Sequence, residues 1–307
     1  TMALKNKLLI VGGTGFIGSH LTKYLSDRYK ITVISKKSKP YQKQVSNIIH
    51  INCDLENSEE AKKFFLENRF NYIINCSGYV DHQNFLIDGY NIFQNHFKIT
   101  HNILKNTINN KPEKFIQIGS SDEYGYNAKS PKEDSRESPL SPYSLGKLAS
   151  THLCMIFAKE YNYPLNVIRP FLIYGPDQNE KRLIPFIIES CFKNEKFNLG
   201  SKDAVRDFLY IQDFLEFIDE LLNKNSVNGE IFNVGSGIGI SIENLVKKIL
   251  SKIKKGKPLF GNYNSGKFEN PILIANLEKV NSLLIWRPKT DIDLGIEKTI
   301  ESYKNKI

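Results

Sequence analysis

The sequence has no apolar run long enough to cross a membrane, and its cysteines form no close pair. A membrane-spanning helix needs about 20 mostly apolar residues, whereas the first apolar run covers only Leu8 to Val11. The 4 cysteines are scattered over 307 residues without a C-x-x-C pair, which argues against a disulfide framework or a zinc site. We therefore expect a globular protein of the reducing cytoplasm that does not contact a membrane.

Metal-ligand spacing and blocks of charge are also missing. His96 and His101 are five positions apart, so they would not share a helix face as a pair of metal ligands does, and no metal site is predicted. The net charge is +9, but the lysines are spread along the whole chain, which argues against a nucleic-acid-binding patch. The positive balance suits a small anionic substrate such as a nucleotide diphosphate.

The chain does have a glycine-rich turn between a strand pattern and a helix pattern. Leu8 to Val11 is typical of a strand buried on both faces, and Gly12, Gly15 and Gly18 follow in the spacing G-x-x-G-x-x-G. Such glycines permit a tight turn, a close approach of backbone N–H groups to a pyrophosphate, and close packing of the helix on the strand. An ordinary βα turn is the alternative. The predicted cofactor-binding residues of this turn are Gly12, Thr14, Gly15, Phe16, Ile17 and Gly18.

The second predicted strand, 30–35, ends without the carboxylate that often binds the ribose of NAD at this place. Ser35, Lys36 and Lys37 stand there instead. With no carboxylate to repel a 2′-phosphate and two cations to attract it, this segment favours NADP over NAD, although NAD remains possible. The alternative is that the two lysines are simply solvated.

Strand and helix patterns alternate through the first 170 residues, which predicts a parallel sheet with right-handed crossovers. The expected fold is therefore α/β, a Rossmann-type doubly wound parallel sheet with a smaller C-terminal substrate-binding lobe. We assign 1–174 to the dinucleotide-binding domain and expect 204–238 to return to it. The remaining segments, 175–203 and 239–307, would form the substrate lobe. A long helix is expected over 84–109, and 257–276 is expected to be irregular.

Two polar segments follow the fifth predicted strand, 114–119. Ser120 and Asp122 come directly after it, where ligands of parallel sheets bind. Tyr143 and Lys147 open the next helix pattern, and their spacing puts the phenol and the ammonium on one helix face. A neighbouring cation lowers the pKa of a tyrosine from about 10, so Tyr143 can exchange a proton with a substrate hydroxyl or carbonyl. Alone, such a pair is often plain helix surface.

These motifs resemble the extended short-chain dehydrogenases/reductases, the NAD(P)-dependent nucleotide-sugar enzymes. The matches run in order over nearly the whole chain, so the resemblance is specific. The matching segments are Gly12–Gly18, Asp54-Leu55, Ser120–Gly125, Tyr143–Lys147, Arg169–Pro176, Arg206–Asp213, Asn233–Ser236 and Trp286–Pro288.

The resemblance implies roles for individual residues. Ser120 aligns with the catalytic Ser/Thr, Tyr143 with the acid/base, and Lys147 with the lysine that binds the nicotinamide ribose. Arg206 would bind the nucleotide diphosphate of the substrate, whereas Asp213 would be structural. The other expected cofactor contacts are Asp54, Leu55, Cys76, Ser77, Gly78 and Pro170, and the other expected substrate contacts are Ser121 and Glu269.

The resemblance leaves the reaction open among several at sugar C4. Family 4,6-dehydratases usually carry a Glu two residues after the catalytic Ser/Thr, whereas this chain has Asp122. The form Ser-Ser-x-Glu-Tyr-Gly resembles GDP-4-keto-6-deoxymannose reductases, and 173–213 resembles CDP-abequose synthase. We therefore expect a 4-ketoreductase, with a C4 epimerase or 4,6-dehydratase as the alternative and a non-catalytic dinucleotide sensor as a third.

Two features concern partners and substrate contacts. In this family the helices that correspond to 84–109 and 143–161 often form a dimer interface, which implies a homodimer. The family also usually carries an Arg a few residues before the position of Glu269, where this chain has Gly266 and Lys267.

Overall fold

The computed structural model describes residues 6–36, 47–78, 83–126, 129–261 and 270–304. The strands are β1 (Lys7–Val11), β2 (Lys30–Ser35), β3 (Ile48–Asn52), β4 (Tyr72–Asn75), β5 (Lys114–Ile118), β6 (Leu165–Pro170), β7 (Leu172–Tyr174), β8 (Lys196–Leu199), β9 (Val205–Tyr210), β10 (Ile231–Val234), β11 (Gly239–Ser241), β12 (Lys257–Phe260) and β13 (Ile272–Leu273). The α-helices are α1 (Phe16–Leu25), α2 (Ser58–Glu67), α3 (Gly89–Thr107), α4 (Pro142–Tyr161), α5 (Leu183–Phe192), α6 (Ile211–Leu222), α7 (Ile242–Ile253), α8 (Glu278–Leu283) and α9 (Ile292–Lys304).

Among the described residues, the main sheet has seven strands in the order β10-β6-β5-β4-β1-β2-β3. Strands β1 to β6 pair with their neighbours in parallel, which confirms the predicted α/β Rossmann-type fold. Leu8, Leu9 and Ile10 of β1 are fully buried, as expected of a central strand covered on both faces. Because β1 lies between β2 and β4, the strand order reverses at β1, and such a reversal is where parallel sheets bind their ligands.

Two predictions of secondary structure were wrong. Helix α3 begins at Gly89 instead of position 84, because the Asn84 Oδ1 accepts the Leu86 N–H at 3.0 Å and holds a turn. The segment expected to be irregular contains β12, which pairs with β8, and β13, which pairs with β9. Within that segment, residues 262–269 lie outside the described ranges.

The chain divides into two compact units. The first comprises Thr1–Glu123, Glu137–Arg169 and Ile218–Phe232, and the second comprises Tyr124–Arg136, Pro170–Phe217 and Asn233–Ile307. Of the two strands expected to return to the main sheet, β10 does so, whereas β9 pairs with β7, β11 and β13 in a separate four-stranded sheet. The domain boundary at position 174 stays a prediction.

No helix in the part of the chain that the structure describes is long and apolar enough to span a lipid bilayer.

Asp213, at the start of α6, holds the segment before α9 in place. Its side chain is almost fully buried, and its Oδ2 accepts the N–H groups of Lys289 and Thr290 at 3.2 and 2.8 Å. Its backbone carbonyl accepts the indole N–H of Trp286 at 2.8 Å. These contacts agree with the structural role expected of this residue.

Replacing Asp213 by alanine is expected to destabilise the protein without touching the candidate active site. The change leaves two part-buried N–H groups without their acceptor, which costs about 1–3 kcal/mol. Asp293→Ala serves as a control, because Asp293 is 55% exposed and pairs with Lys248 on the surface. We expect that pair to contribute less than about 1 kcal/mol. Urea unfolding measures both, and equal losses in the two variants would contradict the assignment.

Candidate active site

The glycine turn forms a cradle next to β1 that only glycine permits. Gly12 has φ +76°, and a Cβ there would lie 2.8 Å from the Ser77 Cα. A Cβ on Gly18 would lie 2.4 Å from the Gly12 carbonyl oxygen. Gly15 is exposed and is the N-cap of α1. It has no side chain to cover the N–H groups of the first helical turn. This cradle fits the diphosphate of a dinucleotide, which a helix N-terminus stabilises.

The remaining predicted residues of the turn flank this cradle. Thr14 is exposed beside Gly15, and Phe16 and Ile17 are half-buried in the first turn of α1. The structure therefore places every residue of the predicted turn at one end of β1.

The end of β2 lies beside the glycine turn, because the Gly12 N–H donates to the Ile34 carbonyl at 2.8 Å. Lys36 follows, and its Nζ lies 2.6 Å from the Glu56 Oε2 and 3.2 Å from the Asp54 Oδ1. The expectation that no carboxylate lies near this point was therefore wrong. The residues at the end of β2 do not reveal the two carboxylates, because these arrive from the segment after β3, the next strand of the sheet. Asp54 was expected to contact the cofactor, but its contact with Lys36 was not predicted.

Three other predicted residues belong to this region. Leu55, which lies between Asp54 and Glu56 in the sequence, is buried, and Ser35 is the last residue of β2. Lys37 lies outside the described residues.

The segment after β4 approaches the same cradle. The Cys76 N–H donates to the Val11 carbonyl at 2.9 Å, and the Asn75 Oδ1 accepts the Ser77 N–H at 3.1 Å. Gly78 continues the turn with φ +95°. Burial raises the pKa of the Cys76 thiol to about 12, although Lys147 opposes the shift, so the thiol is neutral at physiological pH. The predicted cofactor residues from β1 and β4 thus lie together.

Tyr143 and Lys147 project from the first turns of α4, whose start is firmly fixed. Ser141 and Ser144 form a reciprocal capping box, and Pro142 occupies the first helical position, where its fixed φ suits a helix. Tyr143 and Lys147 are 6% and 4% exposed. The Tyr143 ring meets the buried His96 ring edge to face, with 5.2 Å between centroids. The pair is therefore not the exposed helix surface that the sequence left as an alternative.

Lys147 joins α4 to the ends of two neighbouring strands. Its Nζ donates to the Ile118 carbonyl at 2.9 Å and reaches the Ser77 carbonyl at 3.5 Å, and it lies 5.9 Å from the centroid of the Tyr143 ring. Burial lowers the pKa of Lys147 to about 8, although the negative charge of Glu123 opposes the shift. The ammonium is thus held where the ends of β4 and β5 meet Tyr143.

The loop after β5 presents Ser120 through a buried ion pair. The Glu123 carboxylate accepts the Ser120 N–H at 2.9 Å and the Arg169 Nε–H at 2.8 Å. Arg169 also donates to Glu137 at 2.8 Å, and the side chains of Arg169 and Glu123 are both 0% exposed. Sequence reasoning missed Glu123 and Glu137, since charged side chains are almost never fully buried unless paired and no local pattern reveals a partner so distant in sequence.

The Ser120 hydroxyl is oriented within the same loop. Its Oγ accepts the Asp122 N–H at 3.1 Å, which leaves its own proton available for a substrate oxygen. Ser121 is buried at the start of the 3₁₀ turn Ser121–Tyr124, whereas Asp122 is half-buried. The four predicted catalytic residues, Ser120, Asp122, Tyr143 and Lys147, all belong to the first compact unit.

The second unit contains a separate cavity. It measures about 150 Å³ and is lined by Leu172, Lys181, Arg182 and Phe208, among others. Arg206 precedes Phe208 by two positions on β9, so the two side chains share a face of the strand. Arg182 is also the N-cap of α5. This region of the second unit therefore contains the N-terminus of α5 and three cationic side chains, those of Lys181, Arg182 and Arg206.

Two predicted site residues remain. Pro170 ends β6, and Glu269 lies outside the described ranges. Across the ranges that the structure describes, no group of three or more His, Cys, Asp or Glu residues lies close enough together to hold a metal ion.

A glycine cradle at the first βα turn, with Tyr143 and Lys147 at the neighbouring strand ends, defines a dinucleotide-dependent enzyme of the Rossmann type. The model of the NAD dependent epimerase/dehydratase family matches residues 8–235. The chain therefore belongs to this family of NAD-dependent enzymes, which confirms the resemblance seen in the motifs.

Relatives within the family carry out different reactions. A dTDP-D-glucose 4,6-dehydratase of Dictyostelium discoideum is 29% identical over 273 residues, which cover 80% of this chain and 62% of that protein. A GDP-L-fucose synthase of Sinorhizobium fredii is 27% identical over 98% of this chain and 96% of its own length. The structure of a UDP-glucuronic acid 4-epimerase from Bacillus cereus, in complex with UDP-glucuronic acid and NAD, is similar with a TM-score of 0.89 and 25% identity, covering 98% of this chain and 100% of that one.

Removal of Arg169 is expected to be strongly destabilising, because Glu123 would remain buried without its cation. Breaking a buried pair in this way costs about 3–5 kcal/mol. Arg28→Ala is the matched control, since Arg28 is 44% exposed and pairs with Asp219 on the surface, where we expect a loss of less than about 1 kcal/mol. Chemical unfolding of both variants checks the difference, and a loss below about 1 kcal/mol in Arg169→Ala would refute it.

Proposed function

We propose that this protein is an NAD(P)-dependent nucleotide-sugar oxidoreductase that acts at sugar C4 as a 4-ketoreductase. The observation that carries the proposal is the placement of Lys147, whose ammonium lies between the ends of β4 and β5 and beside the buried ring of Tyr143. The glycine cradle belongs to the same compact unit. An acid/base pair and a dinucleotide site in one unit are what hydride transfer to a carbonyl requires.

The residues of the cradle would hold the cofactor. Gly12, Gly15 and the N-terminus of α1 would bind the diphosphate, and Lys147 would bind the nicotinamide ribose. When bound, the nicotinamide supplies or accepts the hydride. Tyr143 would donate the proton to the C4 oxygen of the sugar, with the Lys147 ammonium stabilising the phenolate that remains. Ser120 would donate a hydrogen bond to the same oxygen.

Recognition of a nucleotide diphosphate is assigned to the cavity of the second unit. Lys181 and Arg182 line it, and Arg206 lies on the same strand face as Phe208. Guanidinium groups and helix N-termini are suited to phosphate oxygens. Dehydratase, synthase and epimerase relatives are all named for nucleotide-linked sugars, which supports this class of substrate.

The choice of a reductase rests on Asp122. In a 4,6-dehydratase the corresponding Glu would act on the sugar beyond C4, and Asp122 is one methylene shorter. The backbone N–H of Asp122 is also bound to the Ser120 Oγ, so its main chain serves to orient the serine. The dehydratase, synthase and epimerase relatives do not decide between a reductase and the epimerase or dehydratase alternative. A dinucleotide sensor is disfavoured, because a sensor has no need of Ser120, Tyr143 and Lys147 together.

Two further expectations stay predictions. A homodimer through α3 and α4 is one of them. The other is the preference for NADP over NAD, for which a 2′-phosphate would have to compete with Glu56 and Asp54 for Lys36.

The variant Tyr143→Phe is expected to lower kcat by about 10²–10⁴, which is the usual contribution of general acid–base catalysis. Cofactor binding should survive, because only the hydroxyl is lost. Lys147→Ala should lower kcat further and also weaken cofactor binding. Steady-state kinetics and cofactor titrations measure both effects, and kcat/KM of the wild type should report an ionisation well below the unperturbed tyrosine pKa of about 10.

Tyr161→Phe is the control for this experiment, because Tyr161 ends the same helix and is 50% exposed. We expect wild-type kcat in that variant. Near wild-type turnover in Tyr143→Phe would falsify the assignment and restore the non-catalytic alternative.

The variant Asp122→Asn separates the two enzymatic alternatives. In a reductase it should leave hydride transfer within a few-fold of wild type, since the backbone N–H to Ser120 is unchanged. In a dehydratase it should abolish water elimination from a 6-hydroxylated nucleotide sugar. Two assays distinguish the reactions. The reductase assay follows consumption of NAD(P)H with a 4-keto nucleotide sugar, and the dehydratase assay follows formation of a 4-keto product without added cofactor. Elimination by the wild type without net cofactor use would overturn the reductase proposal.

A further inference from the structure

Three neighbouring strand ends surround the place where the glycine turn would hold the adenosine half of the cofactor. The Gly12 N–H is bonded to the Ile34 carbonyl near the end of β2. In the next pairing, Ser35 of β2 is in register with Asn52 of β3. Side chains that follow Ser35 and Asn52 therefore emerge at one edge of the sheet. In Rossmann folds the group that contacts the ribose 2′ position lies about 20 residues beyond the glycines, which here means the segment that begins at Ser35.

A cluster of three charged side chains fills this edge. Lys36 is 2.6 Å from Glu56 and 3.2 Å from Asp54. Asn95 of α3 donates to the same Glu56 oxygen at 2.9 Å, and Asn95 is buried. Glu56 is therefore held from two sides, one charged and one neutral. Burial disfavours its ionised form, but the hydrogen bonds from Lys36 and Asn95 keep the pKa of Glu56 below its ordinary value, so it is ionised at neutral pH.

Two further charges act here, because the Glu60 Oε2 accepts the Asp54 N–H at 2.9 Å and the charge of Lys98 acts on Glu56. The balance is negative, since three carboxylates face two ammonium groups. NAD carries a hydroxyl at the ribose 2′ position, whereas NADP carries a phosphate of about two negative charges there. A 2′-phosphate would have to share Lys36 with Glu56 and would be repelled by the carboxylate that already holds it. At an effective dielectric constant of about 20, two like charges 4 Å apart repel appreciably. The 2′-hydroxyl of NAD meets no such repulsion.

We propose that Glu56 is a specificity-determining residue that weakens the binding of NADP relative to NAD by engaging Lys36. The proposal rests on the placement of the cofactor at the glycine turn, which is part of the proposed function, but not on the reaction at C4. Asp54 shares the Lys36 contact at a longer distance, so the larger part of the effect is assigned to Glu56.

The test is to measure dissociation constants of NAD and NADP for the full chain by calorimetry, in the wild type and in Glu56→Gln. The glutamine keeps the length of the side chain and an oxygen that accepts from Asn95, and removes only the charge. We expect the affinity for NADP to rise about tenfold while that for NAD changes less than about twofold. Raised salt should shrink this difference, since the groups are partly exposed and screened.

Glu59→Gln is the matched control. Glu59 is exposed in the first turn of α2, so the variant removes the same charge three residues away, and we expect the wild-type ratio of the two affinities. Lys36→Met is the opposite test and should weaken NADP selectively. Thermal unfolding establishes that each variant is folded.

The outcomes separate the inference from the proposal on which it rests. If Glu56→Gln binds both cofactors with the wild-type ratio, or if Glu59→Gln shifts the ratio equally, the assignment to Glu56 is wrong. If neither cofactor binds any folded variant or the wild type, the proposed cofactor site itself fails.

Discussion

The hydrogen bond from the Lys147 ammonium to the Ile118 carbonyl is the contact on which the candidate site depends. It ties α4 to the end of β5 at 2.9 Å, and the same ammonium reaches the segment after β4. Because burying a charge is costly unless it is hydrogen-bonded, this arrangement persists only if both strand ends and the capped start of α4 are in register. The position of Tyr143, one helical turn before Lys147, follows from that requirement.

Two of the buried cations of the first unit, Arg169 and Lys147, have different surroundings. Arg169 and Glu123 form a buried pair that fixes the Ser120 backbone, although a buried ion pair does not by itself add net stability. Lys147 is bonded to neutral carbonyl oxygens, and its pKa is lowered by burial to about 8. It therefore carries its charge at neutral pH, with Glu123 as the carboxylate that acts on it, and a cation beside Tyr143 suits the stabilisation of a phenolate. The contrast supports the proposed chemical role of Lys147 and a structural role of Arg169.

The sequence predicted those parts of the site that depend on local spacing. Gly12 and Gly18 stand where a side chain would collide with the backbone, and Tyr143 and Lys147 share a helix face, so both motifs are visible in a few residues. The ion pair of Glu123 and Arg169 spans 46 residues, and the contact of Lys36 with Glu56 depends on the pairing of β2 with β3. Neither follows from local pattern. The start of α3 was misplaced because the Asn84 side chain competes for backbone N–H groups that a helix would use.

We propose that this enzyme transfers a hydride to sugar C4 and leaves a net reduced product. The most direct measurement is the fate of deuterium when the wild-type protein is given NADPH or NADH deuterated at nicotinamide C4, together with 4-keto nucleotide sugars. We expect one deuterium at sugar C4 of the product for each cofactor consumed, seen by mass spectrometry and NMR. Product that forms without label and without net cofactor consumption would contradict it.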